Sequence, residues 1–512
     1  MLLDAFMAAS PLLAIFVFIL LLNKPADVAG LLALLVGVLV SCLYFQTDLR
    51  VALLSTLAGL IASLPISLTF GIGVLLILVM SETGAIERVS VQVKTMAVGD
   101  RPTQVLLHAC AFSAALASLG AMPIAVLPPL MLSLGYTIRQ AIALPNIGMS
   151  AMCPFGLLSM PLLIFVSFCG ISLDEAGYLF MKVVPLVTWS SAVLSLWVVG
   201  GKKLAREGFA HTLFLGVATW AGVYLSARFS IMPVAGVVVS ILMAGGLLGL
   251  SALRGRRAFD RSVLAEKDLA MEKRLSLLAA VSPWLALTTF AVLINMPQLP
   301  LHGLVNALPM NVEILPGEKI PLRVFSQTYF WVLFSFLLCY RLLKPAPGTM
   351  LSCVRKGLPR AGRAALAAGV YFCIAYVLNH SGKNANWQLI SHDNNMILVL
   401  AKAAAESFGV FYVAAASYIG LASGVLTGSV TASVATFTTL HMRTAELIHV
   451  SGPLVAMVSA MGAGIASFIS PAKLLAAAAN INRIGEEGPL LRMLIIPALA
   501  MTLLIAIVAF AL

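Results

Sequence analysis

Charge is what this chain has least of. Only 10% of its 512 residues are Asp, Glu, Lys or Arg, against 61% hydrophobic residues. A soluble core of that size needs a charged coat, and none is encoded. Strict apolar–polar alternation is also missing from the long apolar stretches, such as 11–22, 185–199 and 494–512, so a β-barrel is excluded. Seven cysteines occur without a CxxC pair, mostly inside apolar runs, as expected of small buried hydrophobes. There is no Walker loop, no HExxH, no Cys/His metal cluster and no dinucleotide fingerprint. Direct ATP-driven work, metal chemistry, a nucleotide cofactor and an enzyme's usual signatures are thereby set aside, and no cofactor or metal is expected. The N-terminus has neither a basic n-region nor a clean small-residue cleavage site. It reads as a first retained span, not a removed signal.

What is present is apolar length. Roughly a dozen spans of about 20 residues fit the chain. The fold class is therefore an all-α polytopic membrane protein, with about 12–14 membrane segments expected. The net charge of +12 fits the positive-inside bias better than nucleic acid. Three segments carry most of it, 200–207, 254–274 and 341–363, and all three are expected to be cytoplasmic loops. Pairs of apolar runs separate them, which keeps the assignment self-consistent. The lightly charged stretch 295–323, rich in Pro and Asn, reads as an outside loop.

Two interrupted apolar segments occupy matching places in the two halves. One runs Ser118-Leu119-Gly120-Ala121-Met122-Pro123 and on to Pro128-Pro129. The other runs Thr427-Gly428-Ser429-Val430-Thr431-Ala432-Ser433. Paired interruptions of this kind point to a transporter site, because unwound backbone in hydrocarbon is tolerated only where it is buried in protein or lines a cavity. Other landmarks pair in the same order. Glu82-Thr83-Gly84 matches His380-Ser381-Gly382, and Gly135-Tyr136 matches Arg443-Thr444. The Gly-rich run 146–161 matches 452–471, and Asp174-Glu175 matches Glu486-Glu487. Flanking charges differ in sign between the copies. The expectation is an inverted repeat with two re-entrant broken hairpins. Its divisions are N-terminal helices 1–51, a first repeat 52–208, central linker helices 209–362 and a second repeat 363–512.

A half-helix restarting after a break offers free amides and a positive dipole end, a receptor for an anion. Gly120, Ala121, Pro123 and Gly428 allow close backbone approach, and Thr427, Ser429, Thr431 and Ser433 add hydroxyls. The competing reading is a packing kink whose hydroxyls bond back to the helix. Ser470 and Lys473 lie in Ser470-Pro471-Ala472-Lys473, where an embedded lysine either meets a carboxylate or snorkels to the surface. For proton handling the candidates are Glu406, four residues from Lys402 and able to pair with it, and His108 in a deep apolar run. Each has a plain structural alternative, a surface ion pair and a packing histidine respectively. His441, Arg443, Glu446 and His449 read as one solvated polar turn.

These motifs resemble the bacterial L-lactate permease family over nearly the full length. The resemblance is strongest over 424–492, where Leu426-Thr427-Gly428-Ser429-Val430-Thr431-Ala432-Ser433 is similar to the family's Leu-Thr-Gly-Ser-Asp-Thr-Ser-Ser. Ile469-Ser470-Pro471 matches its Ile-Ser-Pro run. Thr83-Gly84, Ala121-Met122-Pro123, Leu134-Gly135-Tyr136 and Phe155-Gly156 fall at corresponding spacings. Three stretches depart from the pattern. The family's Asp is Val430 here, its Glu is Ala115, and its Gln-Ser is Ala472-Lys473. The resemblance implies proton symport of a small 2-hydroxy-monocarboxylate, such as lactate or glycolate, across a bacterial inner membrane. The alternatives that stay open are a sodium- or proton-coupled dicarboxylate or gluconate-type carrier, a non-transporting receptor or subunit, and a membrane enzyme acting on a lipid phosphate. The partners expected are an organic anion, a coupling ion and lipid, with no nucleic acid. The oligomeric state is open.

Overall fold

The protein is described by a computed structural model covering residues 2–22, 24–306, 311–321, 324–325, 327–483 and 485–512. Met1 and Arg323, used above as bounds, lie outside the described residues. The chain is almost entirely helical. Among the described residues, ten helices are long and apolar enough to cross a membrane. A bent pair, Ile138–Ser150 with Cys153–Cys169, makes an eleventh. Shorter apolar helices, Asp27–Leu43, Pro123–Ser133 and Thr328–Leu342, supplement them. This is an all-α polytopic membrane protein, as the composition requires.

Two long helices, Leu49–Glu82 and Thr349–His380, pack along one another and form the backbone of the molecule. Gly59 makes that approach possible: a Cβ there would sit 2.7 Å from Cys373 Cα. Ser67 Oγ donates to the Ala365 carbonyl at 2.9 Å across the same seam. Each helix ends just before a left-handed glycine, Gly84 (φ +79°) and Gly382 (φ +73°). Those are the matched Thr83-Gly84 and Ser381-Gly382 landmarks, and the conformation explains the residue type.

The three basic segments gather at one end of the molecule. Arg274 donates to the Thr83 carbonyl at 3.1 Å, and Lys356 pairs with Glu82 at 3.5 Å. Arg88 pairs with Glu272 at 3.2 Å, and Lys94 with Asp268 at 2.8 Å. Arg254 contacts His211 at 3.0 Å, just beyond the 200–207 segment. Much of this basic sequence is helical, contrary to the loops expected. Helix Val184–Glu207 continues through Lys202, Lys203 and Arg206 after non-helical residues at Gly200 and Gly201, and Thr349–His380 carries Arg355, Lys356, Arg360 and Arg363. Lys and Arg are good helix formers, so charge marks the end of a span without ending its helix.

At the opposite end the 295–323 stretch is more ordered than a plain loop. It holds helix Pro300–Asn306 and an antiparallel hairpin, Asn311–Leu315 with Glu318–Pro321. Pro316 and Gly317 (φ +78°) occupy its turn, the residue types that a type II turn demands. His380 Nε2 lies 3.4 Å from the Glu318 carboxylate and ties the hairpin to the long helix.

The second half is held by close backbone approach at small residues. A Cβ at Gly420 would fall 1.9 Å from the Ser459 carbonyl oxygen, and one at Gly462 would fall 2.0 Å from that of Ser417. In the first half Gly148 plays the same part against the Ala109 carbonyl, at 1.5 Å. Dispersion contact between bare backbones replaces the hydrophobic effect that lipid cannot supply. Gly420→Ala should therefore cost about 1–3 kcal/mol through overpacking. Gly245→Ala, with nothing within 4 Å of the added methyl, should be neutral. Thermal melts of the purified protein in detergent check the contrast.

Candidate functional site

Both interruptions are real. Helix Phe112–Ser118 stops, Gly120 turns left-handed (φ +81°), and a new helix starts at Pro123. Helix Tyr412–Thr427 stops, Gly428 turns left-handed (φ +64°), and Val430–Leu447 begins. Each half also contains a further interruption, within the runs that the sequence marks only as Gly-rich. In the first half it lies at 151–155, between Ile138–Ser150 and Gly156–Cys169, with a 74° bend. Leu157, Leu158 and Ser159 follow it with φ of 47°, 55° and 60°, a left-handed run of non-glycine residues that only tight packing sustains. In the second half it lies at 466–470, between Gly452–Ile465 and Pro471–Asn480.

The four breaks form a chain of contacts. A Cβ on Gly120 would meet Leu157 Cδ1 at 2.5 Å, and one on Gly428 would lie 3.5 Å from Ser470 Oγ. The later breaks bridge the halves: Cys153 Sγ lies 3.1 Å from Ser467 Oγ, and Gly464 packs against the Ser150 carbonyl. Asn480 Nδ2 donates to the Ala125 carbonyl, joining Pro471–Asn480 to the first restarted helix. Each hairpin tip packs on the later break of its own half, Gly120 on Leu157 and Gly428 on Ser470.

Lys473 sits at this junction. Its Nζ donates to Ser467 Oγ at 2.9 Å, the side chain is partly buried, and no carboxylate pairs with it among the described residues. Cys153 and Ser467 are the residues that sequence reasoning missed. Their only signal was position, inside the two Gly-rich runs that align between the halves.

The hydroxyls expected in the second break divide by role. Thr427 Oγ1 donates to the Ser423 carbonyl at 2.8 Å and accepts from the Ser429 amide at 3.2 Å. Ser429 Oγ accepts from the Ala432 amide at 3.3 Å and so caps the restarted helix. Ser470 Oγ donates to the Val425 carbonyl at 3.2 Å. Thr431 and Ser433 are buried, and Ser433 Oγ has no partner among the described residues. By contrast, the half-helices starting at Pro123 and Pro471 have no side-chain cap. Within their first turns Ala125 and Lys473 donate to the Met122 and Ser470 carbonyls, which leaves the amides of Ile124 and Ala472, next to each proline, to meet a ligand.

Histidines close each hairpin away from its tip. His108, fully buried in a π-helical turn before the first break, has its Nδ1 3.3 Å from the Tyr136 hydroxyl, which follows that break. In the second hairpin the order is reversed. Tyr412 precedes the break and its hydroxyl lies 2.9 Å from His441 Nδ1, while His441 Nε2 is 2.8 Å from Ser459 Oγ. The solvated polar turn expected at His441 is thus corrected. The helix runs to Leu447 and buries His441, whereas Arg443 and Glu446, paired at 2.9 Å, and His449 beyond the helix are exposed as expected. Helical period decides this, since residues two apart lie on different faces. Glu406 and Lys402 are exposed on helix Met396–Phe408, with no ion pair between them among the described residues.

The hairpins open at opposite ends. Arg101, which stacks over Tyr136, starts the first beside the basic end, whereas Arg443 of the second lines a cavity with the β-hairpin. That cavity, about 580 Å³, is lined by Pro65, Met160, Glu318, Tyr376, Asn379 and Arg443 among others. Met160 directly follows the left-handed run of the first half.

The family model for L-lactate permease matches residues 4–512. The chain belongs to the L-lactate permease family. Curated relatives include the L-lactate permease of Salmonella typhimurium, 24% identical over 99% of this chain and 95% of that protein. The L-lactate permease of Escherichia coli K12 is 24% identical over the same shares. The glycolate permease of the same strain is 24% identical over 96% of this chain and 92% of that protein. A permease family groups membrane transporters, not enzymes. At such identities the local contacts must be taken from this chain's own geometry. Tyr412→Phe should destabilise the protein by about 1–3 kcal/mol, because it leaves His441 Nδ1 buried without its partner. Thermal melts in detergent read the loss.

Proposed function

We propose that this member of the L-lactate permease family is a secondary transporter that brings a small 2-hydroxy-monocarboxylate into the cell together with protons. The basic end is cytoplasmic in this reading, following the positive-inside bias. The repeats, about 52–208 and 363–512, then face the membrane in opposite senses, since one hairpin opens at each end. The protein resides in a bacterial plasma membrane, and the 580 Å³ cavity opens outward.

One observation carries the reading: a partly buried lysine without a carboxylate partner among the described residues stands where chain breaks from both halves meet. An intramembrane cation in that position calls for an anion. The carboxylate would rest on Lys473, with Ser467, Ser470 and the uncapped amides after Pro123 and Pro471 around it. Gly120, Ala121 and Gly428 leave the backbone accessible. Thr427 and Ser429 hold the second break in shape, while Thr431 and Ser433 lie behind it. The substrate's 2-hydroxyl supplies a further donor and acceptor, which suits a site built of hydroxyls and main chain. The relatives named for lactate and for glycolate support that substrate class.

Reconstituted vesicles test it. Labelled L-lactate and glycolate should show saturable uptake that an inward proton gradient raises and that replacing sodium by choline leaves unchanged. No saturable uptake of any carboxylate would sink the proposal, and sodium dependence would favour the dicarboxylate or gluconate type of carrier. Lys473→Ala should raise the half-saturating concentration roughly ten- to a hundredfold, the loss of one charge-assisted hydrogen bond. Gly428→Leu should abolish uptake, because φ +64° strains any side chain by about 1–2 kcal/mol and the new one would fill the space before Ser470. Uptake at wild-type level in either variant contradicts the assigned site.

A further inference from the structure

We propose that the Lys473 amine is the group that carries the coupling proton. The inference rests on the carboxylate-transport reading and adds the identity of the coupling group.

The expectation from sequence placed proton handling on Glu406 or His108. Glu406 is exposed on a surface helix. His108 is sealed between the arms of the first hairpin, bonded to Tyr136 on the side away from the tip. Neither touches the junction of the breaks. The breaks themselves, 119–122, 151–155, 428–429 and 466–470, contain no carboxylate. Lys473 is the charged side chain found at the junction among the described residues.

Its surroundings are nearly free of other charge. Helix Pro123–Ser133, packed against it, carries none. Helix Ile138–Ser150 carries Arg139, which pairs with Glu486 at 3.0 Å. Helix Glu487–Ala511 carries Glu487, whose carboxylate accepts from the Gly485 amide at 2.7 Å, and Arg492. The titratable side chain in reach of the amine is Cys153, on the far side of Ser467. Ser467 suits either state of the lysine. Its oxygen accepts from the ammonium, and its hydroxyl hydrogen can turn to the lone pair of the neutral amine.

A carrier with one central cation has a defined charge problem. With a carboxylate bound, the site is neutral and the loaded protein can change conformation. With the site empty, an ammonium would have to pass through the low-dielectric centre unpaired, which is strongly opposed. Losing the proton removes the obstacle. Facing outward, the amine takes a proton from water and the ammonium pairs with the carboxylate. Facing inward, the carboxylate leaves, the ammonium gives its proton to water, and the neutral amine returns. Only N–H bonds form and break. Each cycle moves one anion and one proton, with no net charge. Lysine is suited to this, since its ammonium is readily neutralised by burial, whereas arginine is not.

The experiment uses the full-length protein in vesicles with labelled L-lactate, reading counterflow exchange and net accumulation separately. Wild type should do both. A proton gradient should drive its accumulation, and a potassium diffusion potential should not. Lys473→Arg should exchange with a raised half-saturating concentration, because the loaded site stays neutral but the guanidinium holds the carboxylate differently. Exchange and accumulation are therefore compared at saturating L-lactate. The variant should lose accumulation by at least about tenfold, because arginine keeps its proton throughout the working range. Accumulation by Lys473→Arg at the wild-type level overturns the proposal, as does wild-type accumulation driven by the electrical potential alone. Absence of both exchange and uptake in wild type would instead defeat the carboxylate-transport reading itself. Should the larger guanidinium block exchange, Lys473→Gln decides the matter. Titration of L-lactate in buffers of different ionisation heat at about pH 8 should show linked proton uptake in wild type and none in Lys473→Gln. Equal proton linkage in both proteins overturns the assignment.

Discussion

Main-chain amides and carbonyls have no water to turn to in hydrocarbon, and the rest of this structure follows from that. Regular helices settle the matter for most of the chain. Where a helix stops in mid-span, other parts of the protein must cover the opened backbone. Four such stops among the described residues lie against one another. Gly120 faces Leu157, Cys153 reaches Ser467, and Ser470 faces Gly428. Local hydroxyls satisfy part of the exposed main chain, as Thr427 and Ser429 do. The uncapped turns after Pro123 and Pro471 remain as the polar resource of the site.

Keeping those stops together requires stiff, close neighbours. Glycines at 148, 420, 424 and 462 let backbones meet at distances that a methyl group would prevent. The two His–Tyr contacts then tie the arms of each hairpin at the end remote from its tip. Because the residue order is reversed between the halves, one kind of clasp serves hairpins that open at opposite ends. The tips are thus held by their bases, and each turns at a glycine, Gly120 or Gly428.

The overall class was open to reading because hydrophobic length is a one-dimensional signal. Scarcity of charge, run length and basic flanks depend on nothing but composition along the chain. Gly120 and Gly428 were equally legible, since a left-handed turn in an apolar run selects glycine. Other features were not. His441 looked like part of a polar turn because Arg443, Glu446 and His449 follow it, yet one face of that helix is buried and the other lines a cavity. Arg355, Lys356, Arg360 and Arg363 read as loop residues, although a span can run on helically beyond the hydrocarbon. Cys153 carried no mark beyond its place in a Gly-rich run.

By itself, then, the sequence determined an all-helical membrane protein with two interrupted segments in matching positions and a lysine near the second. Each of these is a property of residue type and spacing. The tertiary structure decided that the later interruptions bridge the halves, and that Lys473 meets Ser467, which in turn meets Cys153 of the first half. It also decided that Thr427 and Ser429 spend their hydroxyls on the main chain of the break. Those outcomes depend on which backbones approach closely enough to satisfy each other, a question of three-dimensional packing that no local pattern encodes.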